Sequence, residues 1–334
     1  MGKTNILDAI YYLCMCKSHF GLTDRYVMKK GETFFRLDGG FVKKDKLQKV
    51  VCKVIPRKKK VFECNKVPYA KLSEHIGLLP VVMIAPDDVQ MITEGSEERR
   101  RFLDNTICQL DADYLKNLIE YNKLLSQRNK LLKQFAEQRY FDATLLDIYD
   151  QQMLKPAAYI VKKRQSTVET FLPIFQSYYA TISNHQESVN CVFLSKLIET
   201  DFATLLTEQR EKDKILQRST VGIHKDDLAF TINELPLKRF ASQGQRKSYL
   251  LALKLAQYEL MRQQKGQTPI LLLDDIFDKL DGNRVQQLLS LLIEQKGFGQ
   301  IFITDTHDSR VEEIVQQFDT DYKKFRVENG SIKN

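Results

Sequence analysis

The chain has 334 residues, 43% of them hydrophobic, enough to bury a sizeable core and to form two or three lobes. It has no run of about 18 apolar residues, so no transmembrane helix is expected, and no signal peptide is visible. The balance of 51 Lys and Arg against 43 Asp and Glu, net +8, is compatible with a polyanionic partner such as nucleic acid without requiring one. Six cysteines, Cys14, Cys16, Cys52, Cys64, Cys108 and Cys191, form no C-x-x-C pair and read as reduced thiols of a cytosolic protein. Cys14 and Cys16 are expected on a helix, facing different ways, rather than as metal ligands.

The chain opens Met1-Gly2-Lys3-Thr4-Asn5-Ile6-Leu7-Asp8. Gly-Lys-Thr ahead of apolar-periodic residues is the back half of a P-loop. In such a loop, helix N-terminal amides and the lysine hold the β and γ phosphates of a nucleotide, and the threonine hydroxyl reaches Mg²⁺. Gly2, Lys3 and Thr4 are therefore candidate ligands, and the spacing predicts a helix from Thr4 to about Lys17. The front half of the loop and its strand are absent, which points to Met1 as an internal methionine of a longer natural chain. Phe34 to Val61 alternates apolar and polar residues around Gly39-Gly40 and Pro56 to Lys60, as antiparallel hairpins do. The Arg57 to Lys60 cluster either touches a DNA backbone or is a solvated hairpin turn. Val81 to Ala85 predicts a buried strand that delivers Asp87 and Asp88 to a loop, with Gln90 placed to sense Mg²⁺ or a γ phosphate.

From Ser96 the residues turn to helix formers. Ser96-Glu97-Glu98-Arg99 offers a helix N-cap with acids in the first turn. Arg99, Arg100 and Arg101 face phosphates or pair with Glu97, Glu98 and Asp104. Leu118, Leu125 and Leu132 recur every seven positions beside Tyr114, Tyr121 and Phe135, which predicts a helical hairpin. Its second amphipathic stretch, Leu145 to Phe171, is expected to close near Pro173. Val221 to Leu228 and Phe230 to Ile232 predict a strand pair leading to Ser242. Ser242-Gln243-Gly244-Gln245 is then a small-residue turn opening a helix over Lys247 to Met261, a second anion-binding helix terminus.

Pro269 to Leu273 runs straight into Asp274 and Asp275, as a buried parallel strand does when its carboxyl end opens onto a ligand site. Two carboxylates buried there need compensation. They either hold Mg²⁺ with a nucleotide phosphate or cap the following turn, and the Gly2-Lys3-Thr4 segment favours the first. The expected class is α/β: a P-loop ATPase head with a mixed sheet over residues 1–94 and 262–334, and an inserted helical lobe over residues 95–261 carrying the Ser242 turn.

Together, GKTNILDAI, ASQGQ before a helix, LLLDD and DKLD resemble an ABC-type ATPase head of the kind found in SMC-like DNA repair proteins. More narrowly, ERRRFLD, YNKLLSQRNKLLK, GIHKDDL and FASQGQRKS resemble the RecF family of bacterial recombination mediators, in order and over almost the whole chain. That resemblance implies binding of double-stranded DNA and of single-strand/double-strand junctions, an ATP-dependent head-to-tail homodimer, slow hydrolysis, and loading of recombinase with RecO- and RecR-like partners. It also implies roles: Lys3 on the β and γ phosphates, Thr4 and Asp274 on Mg²⁺, and Asp275 orienting the attacking water. Ser242, Gly244 and Gln245 match the signature motif that reaches a partner's γ phosphate, and Asp281 matches the D-loop acid. Two departures stand out. Asp275 occupies a position where transporters carry glutamate, and His307 follows a strand where transporters place a switch histidine but the RecF pattern often has serine or threonine, so His307 either contacts the γ phosphate or is a surface histidine opening the next helix. Two alternatives remain: a transporter's nucleotide-binding subunit, which would call for a tight LSGGQ, and an inactive fragment lacking half its phosphate loop.

Overall fold

A computed structural model of the chain describes residues 2–276, 282–294, 297–307, 310–318, 320–328 and 330–333. The first elements are α1 (Lys3–Met15), α2 (Asp24–Val27), β1 (Phe35–Lys43), β2 (Lys46–Val54), β3 (Val61–Cys64), β4 (Val67–Pro68), β5 (Val81–Ile84) and α3 (Gln90–Thr93). Then come α4 (Ser96–Leu110), α5 (Ala112–Gln138), α6 (Ala143–Ile182), β6 (Val189–Leu194), α7 (Lys196–Glu199), α8 (Phe202–Glu208), α9 (Arg210–Leu216), β7 (Asp227–Ile232), β8 (Leu235–Pro236) and α10 (Leu237–Phe240). The last are α11 (Gln243–Lys265), β9 (Ile270–Asp274), α12 (Gly282–Glu294), β10 (Ile301–Thr304), α13 (Arg310–Val315), β11 (Arg326–Glu328) and β12 (Ser331–Lys333). They form two units. One comprises Met1–Val89, Thr181–His185 and Lys247–Asn334; the other comprises Gln90–Ala180 and Gln186–Arg246.

In the first unit β9 is the middle strand of a three-stranded parallel sheet, with β5 on one side and β10 on the other. Leu271, Leu272 and Leu273 are fully buried, which is why this strand reads as an uninterrupted apolar run. The antiparallel strands lie in a separate four-stranded sheet, β1-β2-β3-β4. Leu7, Tyr11, Tyr12, Leu13 and Met15 of α1 pack with Val50, Cys52, Phe62, Val81, Met83 and Leu272. Each such side chain contributes about 1.5–3 kcal/mol of burial. All six cysteines are free thiols, and burial pushes Cys16 and Cys52 up to about 12, so they behave as small apolar residues.

The first hairpin differs from the sequence expectation. β1 and β2 reverse at Lys44-Asp45, both left-handed at φ 48° and 60°, as a two-residue turn requires. Gly39 and Gly40 lie inside β1 instead. Gly39 has a packing reason: a Cβ there would come 2.7 Å from Leu13 Cδ1. The turn after Pro56 does occur, with Arg57 left-handed. Lys60 in that cluster is engaged, pairing with Asp24 at 3.0 Å and lying 4.6 Å over the Tyr12 ring.

In the second unit α5 buries Tyr114, Tyr121, Leu124, Arg128, Leu131, Leu132 and Phe135, so the seam runs beside Leu118 and Leu125 rather than through them. Arg128 is fully buried in that seam and pairs with Asp150 at 2.5 Å and Asp213 at 2.6 Å. Helix α6 does not stop at Pro173 but continues to Ile182. Proline costs the helix a hydrogen bond. Buried Phe171 ahead of the proline and Phe175, Tyr178, Tyr179 and Ile182 beyond it keep the apolar face continuous, and that packing outweighs the loss. β7 pairs with β6 and β8, and only Asp227 onward is extended. Val221 to Asp226 forms a turn with a 3₁₀ segment rather than the expected strand. Gly222, at φ 126°, bends the chain around Tyr121, whose hydroxyl would lie 2.2 Å from a Cβ at that position.

Candidate nucleotide site

α1 starts at a left-handed Gly2, φ 114°, with no side-chain cap and no acid in its first turn. A helix start of this kind is one at which leading amides can meet an anion. Lys3 Nζ donates to the Asp305 carbonyl just past β10. Thr4 Oγ1 donates to Asp274 Oδ1 at 3.0 Å. Residues from opposite ends of the chain therefore meet where β9 and β10 end, at the carboxyl edge of the parallel sheet.

Asp274 is only 4% exposed, and its Oδ1 also accepts from Thr304 Oγ1 at 2.7 Å. Asp275 is left-handed at φ 47°, and its amide donates to the Thr304 carbonyl at 3.2 Å and hydroxyl at 3.1 Å. Thr306 Oγ1 lies 3.5 Å from Asp275 Oδ1. His307 is exposed, and its amide donates to Asp305 Oδ1 at 3.0 Å. Gly2, Lys3, Thr4, Asp274 and Asp275 are thus brought together, His307 lies on the segment after β10, and Asp281 falls outside the described residues. Sequence reasoning missed Thr304, Asp305 and Thr306. The available signal was register: in a parallel pair ending together, Thr304 stands opposite Asp274.

Past the carboxyl end of β5, Asp88 receives Lys254 Nζ at 2.9 Å and His19 Nε2 at 3.3 Å, and its other oxygen accepts the Ala85 amide at 2.8 Å. Burial pushes the Asp88 carboxyl up, but Lys254 and His19 more than reverse this and hold it well below the usual carboxylate range. The acid delivered by β5 is therefore a structural partner. Gln90 opens α3 and is exposed.

The Ser242 turn belongs to the second unit. Its Oγ accepts the Gln245 amide at 3.2 Å while Gln245 Oε1 accepts the Ser242 amide at 2.7 Å, a reciprocal capping box that explains the S-x-x-Q spacing. Gln245 Nε2 donates to Glu187 Oε1 at 2.6 Å, and Glu187 also accepts from the Tyr179 hydroxyl. Ser242 itself is exposed and Gly244 lies in the first turn of α11.

A strand ending in paired aspartates beside a Gly-Lys-Thr helix start defines, with this fold, a head of the ABC ATPase type. An SMC head bound to the C-winged helix domain of ScpA shares that fold, with a TM-score of 0.50 at 14% identity over 92% of this chain and 80% of that one. No family model matches the chain. Its relatives are more specific. The DNA replication and repair protein RecF of Flavobacterium johnsoniae is 46% identical over 98% of this chain and 91% of its own length. RecF of Parabacteroides distasonis is also 46% identical, over 100% of this chain and 90% of its own length. A solved structure of the recombination mediator RecF with ATP, in the RecFOR pathway, superposes with a TM-score of 0.88 at 30% identity, covering 99% of this chain and 88% of that one. The chain belongs to the RecF family of DNA replication and repair proteins, and a transporter subunit is not favoured.

Proposed function

We propose that the chain is a cytoplasmic ATP-dependent DNA-binding protein of recombinational repair. In this reading the first unit is the ATPase lobe and the second a helical lobe carrying the signature turn. The observation that carries it is the 3.0 Å contact between Thr4 and Asp274, which joins a phosphate-binding helix start to a carboxylate suited to a hard cation. Magnesium fits this donor set. Asp274 is nearly buried with hydroxyl partners, a donor set of hard oxygens. Mg²⁺ is commonly held in that way, by one or two carboxylates together with substrate phosphates. Thr4 and Asp274 would hold it, and when bound it would neutralise charge on the β and γ oxygens.

Lys3 leaves the Asp305 carbonyl for the phosphates, and Asp275 accepts a hydrogen bond from the attacking water. One methylene shorter than glutamate, Asp275 is placed for slow turnover. The signature turn serves a second copy: exposed Ser242, with Gly244 and Gln245, approaches that copy's γ phosphate, so ATP closes a head-to-tail homodimer and hydrolysis releases it. Asp281 and His307 are proposed to serve the same interface and phosphate. Lys44, Lys46, Lys49, Lys53, Arg57, Lys58 and Lys59 are exposed on and around the antiparallel sheet, which supports contact with the phosphates of duplex DNA and of single-strand/double-strand junctions. RecR- and RecO-like proteins are the proposed partners, because the superposed RecF structure belongs to the RecFOR pathway. Among the described residues no helix is long and apolar enough to cross a membrane.

The test is retention on gapped duplex DNA with and without ATP. Retention is expected to require ATP, to disappear in Lys3→Ala, and to weaken roughly tenfold or more between 50 and 200 mM salt. Equal retention by the wild type and Lys3→Ala would refute the reading.

A further inference from the structure

We infer that Thr304 is a positioning residue of this site, holding Asp274 for the metal and Asp275 for the water. This rests on the ATPase reading above. One hydroxyl serves both acids. It donates to Asp274 Oδ1 at 2.7 Å and accepts the Asp275 amide at 3.1 Å, while the Thr304 carbonyl accepts the same amide at 3.2 Å. The parallel register sets Thr304 opposite Asp274, so the contact is built into the sheet rather than into a mobile turn. Thr4 donates to the same Oδ1. Of the two hydroxyls, only that of Thr304 comes from outside the phosphate-binding segment, so it alone keeps Asp274 aimed while Thr4 serves a metal ion.

Asp275 needs the second half of the arrangement. A non-glycine residue at φ 47° is in a sparsely populated conformation, and two acceptors on its amide hold it there. That conformation directs the carboxylate toward Thr306 Oγ1, 3.5 Å away. Valine at position 304 keeps the shape and the carbonyl but removes the hydroxyl, so both acids lose a partner together. Serine keeps the hydroxyl. Outer partners of metal ligands usually matter 10- to 100-fold for metal affinity.

The experiment compares wild type, Thr304→Val and Thr304→Ser by two readouts. Without nucleotide, hydrogen exchange at the Asp275 amide is expected to speed up about tenfold in the valine variant and to return toward wild type with serine. With ATPγS, Mn²⁺ affinity measured by electron paramagnetic resonance is expected to fall about 10- to 100-fold with valine and to recover with serine. Metal-free nucleotide affinity should stay the same in all three. Unchanged Mn²⁺ affinity in Thr304→Val overturns the inference, as does a loss that serine fails to restore. If the wild type takes up no Mn²⁺ with nucleotide while the amide still responds to valine, the ATPase reading falls and the metal role falls with it. That outcome is distinct from a wild type that binds Mn²⁺ and a variant that binds it equally.

Discussion

Arg164, 2% exposed at its side chain, explains why the most distinctive segments of this chain are distinctive. It pairs with Asp104 at 2.9 Å and with Asp226 at 2.7 Å. Arg99 meets Asp227 at 2.7 Å, and Arg100 donates to the Asp226 carbonyl at 2.7 Å. ERRRFLD and GIHKDDL are therefore two halves of one polar network inside the second unit. A buried charge tolerates few substitutions because losing its partner strands it. In the sequence the arginine run either faced phosphates or paired with Glu97, Glu98 and Asp104; Arg101 does pair with Glu97 and Glu98, but the partners of Arg99 and Arg100, Asp227 and Asp226, could not be read from local spacing. His224 belongs to the same region, with Nδ1 2.9 Å from the Tyr121 hydroxyl. Burial pushes its pKa down to about 4. A histidine depressed on folding stays neutral in the folded state while the unfolded chain takes a proton. Its stability contribution is thus complete above the ordinary histidine range and is lost as pH falls from about 6.5 toward 4, up to ~3 kcal/mol. Melting temperature measured across that window should drop for wild type and drop less for His224→Gln; parallel curves would exclude the assignment.

Among the elements, those whose pattern comes from burial on a single face or on both faces were the legible ones. The strand at β9, the strand at β5 and the helix after Gly2 all appear where expected, with α1 running Lys3–Met15. Elements that depend on a distant partner were not. β6 went unnoticed because Val189 and Cys191 point inward while Asn190, Val192 and Leu194 are exposed, a short alternation that acquires meaning only beside β7. Gly39-Gly40 invited a turn because glycine is a turn former, whereas the reason for Gly39 is the approach of Leu13 from α1. Gly39→Ala should accordingly destabilise the first unit by about 1–3 kcal/mol through overpacking, readable as a lowered urea midpoint. Gly31, whose position has nothing within 4 Å of an added Cβ, should show no packing penalty on the same change, although its left-handed backbone carries a conformational one.

For the whole molecule, the proposed head-to-tail pairing makes a quantitative demand. If each nucleotide site takes Lys3 from one copy and the Ser242 turn from another, Lys3→Ala and Ser242→Arg proteins are each inactive alone. Mixing them in equal amounts creates heterodimers with one intact site, recovering about one quarter of wild-type sites under random pairing. ATP-dependent hydrolysis in the mixture measures this, and a mixture as silent as its components would exclude shared sites. The sequence alone determined the family and named the candidate ligands of the proposed site, because phosphate and metal ligands would have to occur as particular residue types at tight spacing, as Gly2 to Thr4 and Asp274-Asp275 do. Only the tertiary structure decided which side chains stand behind those ligands. Thr304 reaches Asp274 through strand register, Asp226 reaches Arg164 across helices, and Leu13 excludes a Cβ from Gly39. Such contacts depend on distances between segments far apart in the chain, which no local pattern encodes.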